Sequence, residues 1–141
     1  MVQVESHKTG YGVSPIDGID HRLEKDRNRM LSLRPRPNRA LPAPFDVQSL
    51  HCSSCRRMHA AAFVTWTAFA EKDVRIRNGS EELREYASSP GVRRKFCSQC
   101  GTHIVYSALD QPGKIYVPRA CIEGAFDREP ECHVNVSDQV D

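Results

Sequence analysis

The sequence predicts a mainly β fold, in which a small antiparallel sheet forms a single domain. From residue 45 onward, short segments alternate apolar and polar residues, which is typical of half-buried strands. Little of this region shows helical periodicity. The chain has 141 residues, of which 39% are hydrophobic, and such a composition can bury one modest core. These observations favour one sheet-based domain with polar ends.

The first 44 residues differ in composition from the rest of the chain. They are polar and rich in arginine, and they end in a run of alternating prolines. Because proline cannot sit in a helix interior or donate to a β-ladder, we expect this segment to be extended and solvated. The sequence therefore predicts a disordered, basic, Pro/Arg-rich tail over 1–44 and one domain over 45–141. A short docking helix over His21–Leu33, capped by Asp20, is the alternative.

The domain is expected to contain one short helix and several strands. Helical turns are predicted over Arg56–Ala62, directly after a Cys-x-x-Cys pair. Strands are predicted at 64–68, 74–77, 93–96, 103–106, 115–117 and 134–136, with 82–87 as either a strand or a short helix. Asn78-Gly79 marks a turn. The segments 93–96 and 103–106 flank a second Cys-x-x-Cys pair as the two arms of a hairpin.

Charge, hydropathy and motif content exclude several classes of function. The chain carries 20 basic and 18 acidic side chains, a net charge of +2, which argues against a nucleic-acid surface. No apolar run approaches the roughly 18 residues that span a membrane, and no signal peptide is evident. Nucleotide-binding and serine-hydrolase signatures are absent. We expect a cytoplasmic protein, whose six cysteines serve as metal ligands or free thiols rather than disulfides.

The two Cys-x-x-Cys pairs are the strongest signal in the chain. Cys52 and Cys55 form the first, and Cys97 and Cys100, followed by Gly101, form the second. Zn²⁺ accepts four thiolates tetrahedrally at roughly 2.3 Å, and each such pair can present two. The spacing alone predicts that all four cysteines close one structural zinc site, which performs no chemistry.

Three runs of residues carry a family resemblance. They are Leu50–Arg56 (LHCSSCR), Tyr86–Gly91 (YASSPG) and Arg94–Thr102 (RKFCSQCGT). In order and spacing they resemble the glutathione-dependent formaldehyde-activating enzyme family, which shares its domain with centromere protein V. The resemblance covers roughly 45–137. It implies a β-tent-like, zinc-ribbon-related fold with two zinc sites, and a carbon–sulfur lyase reaction that joins or parts a glutathione thiol and formaldehyde.

The resemblance assigns the two cysteine pairs to different zinc sites. Cys97 and Cys100 would bind a structural zinc together with an earlier Cys-x-Cys pair. Leu50, Cys52 and Cys55 occupy the positions of the catalytic zinc ligands. This chain has no cysteine before Cys52, and a leucine side chain cannot coordinate a metal. The resemblance therefore implies that Cys52 and Cys55 are the catalytic pair, in a site that departs from the family pattern.

The sequence offers several ways in which a zinc ion could still be bound. The four cysteines could share one zinc, or other side chains could replace the missing ligands. Those side chains are His51, His59, His103, Cys121, Cys132 and His133. Each has an ordinary alternative role, because histidines beside strands are commonly hydrogen-bonded and lone cysteines are commonly small buried apolar residues.

Three arginines are candidates to bind the substrate. Glutathione is anionic, and a guanidinium fork matches a carboxylate, so Arg56, Arg93 and Arg94 are expected to hold its carboxylates. A solvated charged face is the alternative for each. A zinc held at Cys52 and Cys55 with open positions would act as a Lewis acid, binding the thiol or polarising the carbonyl oxygen.

The sequence leaves three functions open. The first is a zinc-dependent carbon–sulfur lyase that acts on a glutathione or other thiol adduct of formaldehyde or a related small aldehyde. The second is an inactive zinc-binding scaffold of the centromere protein V type, whose basic tail contacts an acidic partner. The third is a degenerate remnant. Family resemblance favours the enzyme, while Leu50 and the missing Cys-x-Cys pair favour the other two.

Overall fold

The computed structural model describes residues 44–76, 79–122, 126 and 128–140. The tail that the sequence predicts over 1–44, including the possible helix over His21–Leu33, lies outside these residues except for Pro44. Asn78 of the predicted turn also lies outside them. Within the described ranges, no helix is long and apolar enough to cross a membrane.

Seven strands form one sheet in the order β3-β4-β5-β6-β2-β1-β7. The strands are β1 (Asp46–Leu50), β2 (Val64–Ala70), β3 (Leu83–Ser89), β4 (Val92–Cys97), β5 (His103–Ala108), β6 (Lys114–Pro118) and β7 (Cys132–Val134). One helix, α1 (Ser53–His59), follows β1. The pairings are antiparallel, except that β1 and β7 run parallel. The prediction of a mainly β, mostly antiparallel fold is confirmed.

The second Cys-x-x-Cys pair lies in the connection between β4 and β5, as the sequence predicts. Cys97 ends β4, and the amide of Gly101 donates to the carbonyl oxygen of Cys97 at 2.8 Å. Gly101 adopts a φ of 75°, a left-handed conformation that glycine enters without a steric penalty. The tight loop therefore depends on this glycine, which lets the chain return as β5.

Two predicted strands differ from the structure, and one ambiguous segment is resolved. Of the described residues in the predicted strand 74–77, which are 74–76, Ile76 alone forms a bridge, and Val74 and Ile76 pack against the larger apolar cluster. The predicted strand 134–136 ends at Val134, because Asn135 adopts a left-handed φ of 55° and starts a 3₁₀ turn. The segment 82–87 is a strand, β3, that begins at Leu83.

Helix α1 is held at its start by the C-terminal end of the described chain. It begins at Ser53, three residues earlier than predicted, and ends where Ala60 adopts a left-handed φ of 49°. Its first turn contains no acidic residue. Instead, the amide of Ser53 donates to the Asp138 carboxylate at 3.0 Å, which satisfies one of the free amides at the helix start. The segment after β7 thus fixes the position of α1.

The sheet buries two separate apolar clusters. The larger cluster consists of Phe69, Cys97, Ile104, Val105, Ile115, Val117, Cys121 and Ile122. The smaller cluster, beneath α1, consists of Cys55, Val64 and Trp66. Because successive residues of a strand point to opposite faces, the alternation along the strands separates these clusters. The two cysteine pairs are consequently associated with different clusters.

We predict that truncating the centre of the larger cluster strongly destabilises the fold. Ile104 is 0% exposed, so Ile104→Ala should lower the free energy of unfolding by about 2–5 kcal/mol, through lost burial and a residual cavity. Urea unfolding followed by circular dichroism measures this change. Leu109→Ala is the control, because Leu109 is 81% exposed and should change stability by less than about 0.5 kcal/mol. Equal effects of the two substitutions would contradict the described core.

Candidate active site

A row of side chains crosses the sheet directly beneath α1. The strand register places these residues opposite one another in the order Ala68, Tyr116, Tyr106, Arg94 and Tyr86. Directly opposed residues of neighbouring strands share a face of the sheet. Tyr86 Oη and Arg94 Nη1 both donate to the sulfur of Met58 on α1, each at 3.5 Å. The row is therefore the floor beneath the helix.

The first Cys-x-x-Cys pair lies at the start of α1, with two unlike thiols. Partial burial opposes the charged form of Cys52, but the amides of Cys55 and Ser54 and the Cys55 thiol donate to its sulfur and together lower its pKa. Cys55 is 4% exposed, and burial raises the pKa of its thiol, although the Arg94 guanidinium acts in the opposite direction. Cys52 is thus the better thiolate of the pair.

Arg94 is a buried cation in contact with this pair. It is only 6% exposed, and its Nη2 donates to Cys55 Sγ at 3.8 Å. Its Nε donates to Ser88 Oγ at 3.0 Å, and its guanidinium lies 4.9 Å from the centroid of the Tyr106 ring. Among the residues that the structure describes, no carboxylate pairs with it. A buried charge is costly without an anionic partner, so this guanidinium favours an anion beside Cys55.

The other two candidate arginines are placed differently. Arg93 is adjacent to Arg94 on β4 and therefore points to the opposite face of the sheet. Its side chain is 58% exposed and lies 3.9 Å from the Glu85 carboxylate. Arg56, on α1, donates its Nε to the carbonyl oxygen of His51 at 3.0 Å. Of the three arginines, only Arg94 donates to a thiol in the structure.

A set of nitrogen and oxygen donors, which the sequence does not group together, lies beside Cys55. We name this set the donor cluster: Trp66, His59, His103, Tyr86 and Arg94. The His59 ring lies 5.4 Å from the Trp66 ring and 5.5 Å from the His103 ring, and Tyr86 lies 6.2 Å from His103. One sequence signal pointed to part of it, since His59 follows Cys55 by four residues and such residues share a helix face.

The two histidines of the donor cluster are neutral, whereas Arg94 is charged. Burial, together with the nearby His103 and Arg94, lowers the pKa of His59 to about 4. Burial and Arg94 also lower the pKa of His103. Both imidazoles are therefore uncharged near neutral pH, and each carries a single N–H donor. Arg94 supplies the positive charge of the cluster.

A second histidine pair anchors β7 to β1. His51 Nε2 and His133 Nδ1 are hydrogen-bonded at 2.9 Å, and the ring of Phe63 lies within 5.5 Å of the His51 ring. The amide of His51 also donates to the carbonyl oxygen of Val134 at 3.0 Å. These two histidines therefore bind each other, a pairing that the sequence did not indicate.

The second Cys-x-x-Cys pair belongs to the larger cluster. Cys97 is 3% exposed, whereas Cys100 is exposed and lies 3.1 Å from Thr102 Oγ1. Partial burial acts to raise the pKa of Cys100, but hydrogen bonds from Thr102 and the Cys97 thiol lower it overall. Cys121 donates to the carbonyl oxygen of His103 at 3.5 Å, and burial raises its pKa to about 11.

The sequence profile of the family described as "Glutathione-dependent formaldehyde-activating enzyme" matches residues 39–138. The chain belongs to this family. The resemblance carried by the two cysteine pairs and the Tyr86–Gly91 run is thereby confirmed. The chain matches none of the curated proteins.

A solved structure shares the fold of this family member. It is the crystal structure of a Rhodobacter sphaeroides protein, a Northeast Structural Genomics target. The TM-score is 0.53 and the sequences are 24% identical, with 68% of this chain and 87% of that chain covered. At this level of identity, the similarity shows the fold alone.

The residues present can be tested against the zinc sites that the family implies. Within the described ranges, no three His, Cys, Asp or Glu side chains are close enough to hold one metal ion. The structure therefore does not bring Cys52, Cys55, Cys97 and Cys100 into one group. Each pair offers two thiols, half of a tetrahedral shell, and Leu50 packs against the smaller cluster instead of contributing a ligand. The donors shown fit a zinc only in part.

We predict that, in the protein without bound metal, the cysteines differ in their rates of alkylation. Cys52 and Cys100 should react faster than Cys55, Cys97 and Cys121, because thiolates are the reactive form and the first two have lowered pKa values. Iodoacetamide labelling, read by peptide mass spectrometry, measures the five rates. The Cys52 and Cys100 rates should rise with pH as these two thiols ionise. Faster labelling of Cys55 than of Cys52 would contradict the assigned geometry.

We also predict an acid sensitivity that arises from His59. Its folded pKa of about 4 lies below its ordinary value of 6.5, so the unfolded chain takes up this proton first as pH falls. Stability should decrease as the pH falls from about 6.5 towards 4. Urea unfolding at about pH 7 and about pH 5 should show a smaller loss in His59→Phe than in the parent protein. An unchanged loss in the variant would exclude His59 as a source.

Proposed function

We propose that the protein is a carbon–sulfur lyase-type enzyme, which makes or breaks the bond between a glutathione-type thiol and formaldehyde or a related small aldehyde. Membership of the glutathione-dependent formaldehyde-activating family supports a glutathione-related formaldehyde-activating function. The observation that carries the proposal is the buried Arg94 guanidinium against the Cys55 thiol, beside Cys52. If the cysteine pair had only a structural role, it would not require a buried cation without a carboxylate partner beside it.

The proposed reaction needs little covalent chemistry from the protein. The substrate thiol loses its proton, its sulfur attacks the aldehyde carbon, and the oxygen receives a proton to become a hydroxyl group. Negative charge therefore passes from sulfur to oxygen, and the reverse reaction returns it. The fixed positive charge of Arg94, 3.8 Å from Cys55 Sγ, favours anions at both stages. Its burial strengthens this attraction, because little water screens it.

The cysteines have a binding role in this proposal. We assign Cys52 and Cys55 as the catalytic pair and as ligands for Zn²⁺, with Cys97 and Cys100 as ligands at a separate site. A zinc ion at Cys52 and Cys55, when bound, would supply Lewis-acid activation of the thiol or of the carbonyl oxygen. The two thiols supply two ligand positions, which leaves room for the substrate.

Substrate binding is assigned to arginines at and around the thiol pair. Arg94 acts next to Cys55, while Arg56 and Arg93 are proposed to attract the anionic thiol from the surface. The partner is a small molecule, and we place the reaction in the cytoplasm, where thiols are kept reduced. The scaffold alternative depends on the basic tail, most of which lies outside the described residues.

The enzyme proposal predicts thiol-dependent formaldehyde turnover that requires the first cysteine pair and Arg94. Exchange NMR spectroscopy can separate enzymatic formation of the hydroxymethyl thiol from the uncatalysed reaction. Cys55→Ser and Arg94→Met should each lower kcat/KM about 100-fold, because each removes a group at the reacting atoms. Lys95→Met is the matched control, since Lys95 is next to Arg94 on β4 but pairs with Glu85 on the opposite face. A rate unaffected by Cys55→Ser would refute the assignment.

The zinc assignment has its own test. Elemental analysis of the purified, folded protein should show zinc that Cys52→Ser removes and Cys97→Ser leaves in place, if the first pair holds the ion. A second ion lost in Cys97→Ser would identify an additional site at the second pair. Dialysis against a chelator should abolish turnover, and added Zn²⁺ should restore it. No bound zinc in folded, active protein would refute the zinc assignment while leaving the reaction in place.

A further inference from the structure

The donor cluster contains several buried nitrogens for which the described residues supply no hydrogen-bond partner. Trp66 is 2% exposed, and its indole N–H has no partner within the described part of the chain. His59 Nε2 and His103 Nδ1 are likewise buried without a partner there. Tyr86 donates only to a methionine sulfur, a weak acceptor. Buried donors without acceptors are uncommon, and each one is costly.

Arg94 shares this lack of an acceptor. Its two terminal nitrogens donate to sulfur atoms, those of Met58 and Cys55, and only its Nε reaches an oxygen, that of Ser88. A guanidinium has five N–H donors, and its strongest partner is a carboxylate bound through two parallel hydrogen bonds. No described residue supplies such a group. These donors match the chemistry of a compact anion with several acceptor oxygens.

The position of the cluster indicates how far this anion lies from the reacting sulfur. Cys55 contacts Trp66 within the smaller cluster, and His59 lies one helical turn further along α1. One turn of an α-helix rises about 5.4 Å. A ligand with its sulfur at the cysteine pair would therefore place a group about 5 Å away among the donors, which suits a carboxylate a few bonds from a thiol.

We propose that the donor cluster is a carboxylate-binding site, which selects thiols that carry a carboxylate a few bonds from the sulfur. Arg94 contributes N–H donors in contact with Cys55, and Trp66 contributes a buried indole N–H. The neutral His59 and His103 each carry one further N–H. This inference rests on the proposed function for the identity of the thiol group. Recognition of the carboxylate itself is a separate property, because it can be measured by binding without turnover.

The single tryptophan of the chain provides a direct measurement, since it belongs to the cluster. Quenching or enhancement of Trp66 fluorescence should report binding of 3-mercaptopropionate, with its methyl ester as the uncharged counterpart. Glutathione and its glycine monoethyl ester form a second matched pair, which distinguishes a tripeptide carboxylate from that of a smaller thiol. We expect at least about a tenfold tighter Kd for the acid than for the ester in one of these pairs.

Substitutions test whether the preference for the acid over the ester depends on the donor cluster. Arg94→Met should remove the preference for the acid, and His59→Phe should reduce it about threefold to tenfold, as loss of one hydrogen bond of ordinary net strength predicts. Lys95→Met, on the other face of β4, should leave it unchanged. Circular dichroism checks that each variant is folded. If Arg94→Met does not fold, His59→Phe and Arg94→Lys, which keeps the charge but loses the planar fork, carry the test.

The outcomes separate this inference from the enzyme proposal. Equal affinity for acid and ester in the parent protein, or a preference that survives in folded Arg94→Met, would overturn the carboxylate site. Turnover with equal use of acids and esters would overturn it while the lyase proposal stands. A preference for the acid without any formaldehyde turnover would support the carboxylate site and refute the lyase.

Discussion

The contact on which the site depends is the one between the buried Arg94 guanidinium and helix α1. Arg94 meets Cys55 and Met58 of the helix, Ser88 of β3 and the ring of Tyr106 on β5. One side chain thus links the helix to strands that the sequence places far apart. A guanidinium this buried would normally have a carboxylate partner, and here its contacts are two sulfurs, a hydroxyl and a ring. A positive charge with these contacts favours an anion at the α1 face.

The alternation of side chains along β4 divides the molecule into two regions with different chemistry. Arg94 and Phe96 face α1 and the donor cluster, since Phe96 packs near Tyr86 and His103. Cys97 points into the larger cluster on the other side. A cation and a thiol only three residues apart in sequence therefore serve different sites. The same alternation places Arg93 away from Arg94, so neighbouring arginines are not equivalent.

Much of the fold and part of the site could be predicted from local sequence. Turn residues and periodicity, which are local properties, indicate the hairpin around Cys97 and Cys100, the strand at 64–68 and helical turns near the first cysteine pair. Over its described residues, the strand predicted at 74–77 is reduced to a single bridge at Ile76, because alternation alone does not guarantee a ladder with a neighbouring strand. The single four-cysteine group that the spacing suggests is not what the structure shows, since spacing records loop length and not the face of a sheet.

By itself, the sequence determined the family, the mainly β architecture and the positions of the two cysteine pairs, because motifs and alternation are properties of neighbouring residues. Only the tertiary structure decided which side chains meet. The register of β3, β4, β5 and β6 aligns Tyr86, Arg94, Tyr106 and Tyr116 under α1, and helix packing brings His59 and Trp66 to the same place. These contacts form because strands pair with one another and the helix packs on the sheet. Several of the residues in contact lie tens of positions apart in the sequence, so no local sequence pattern predicts them.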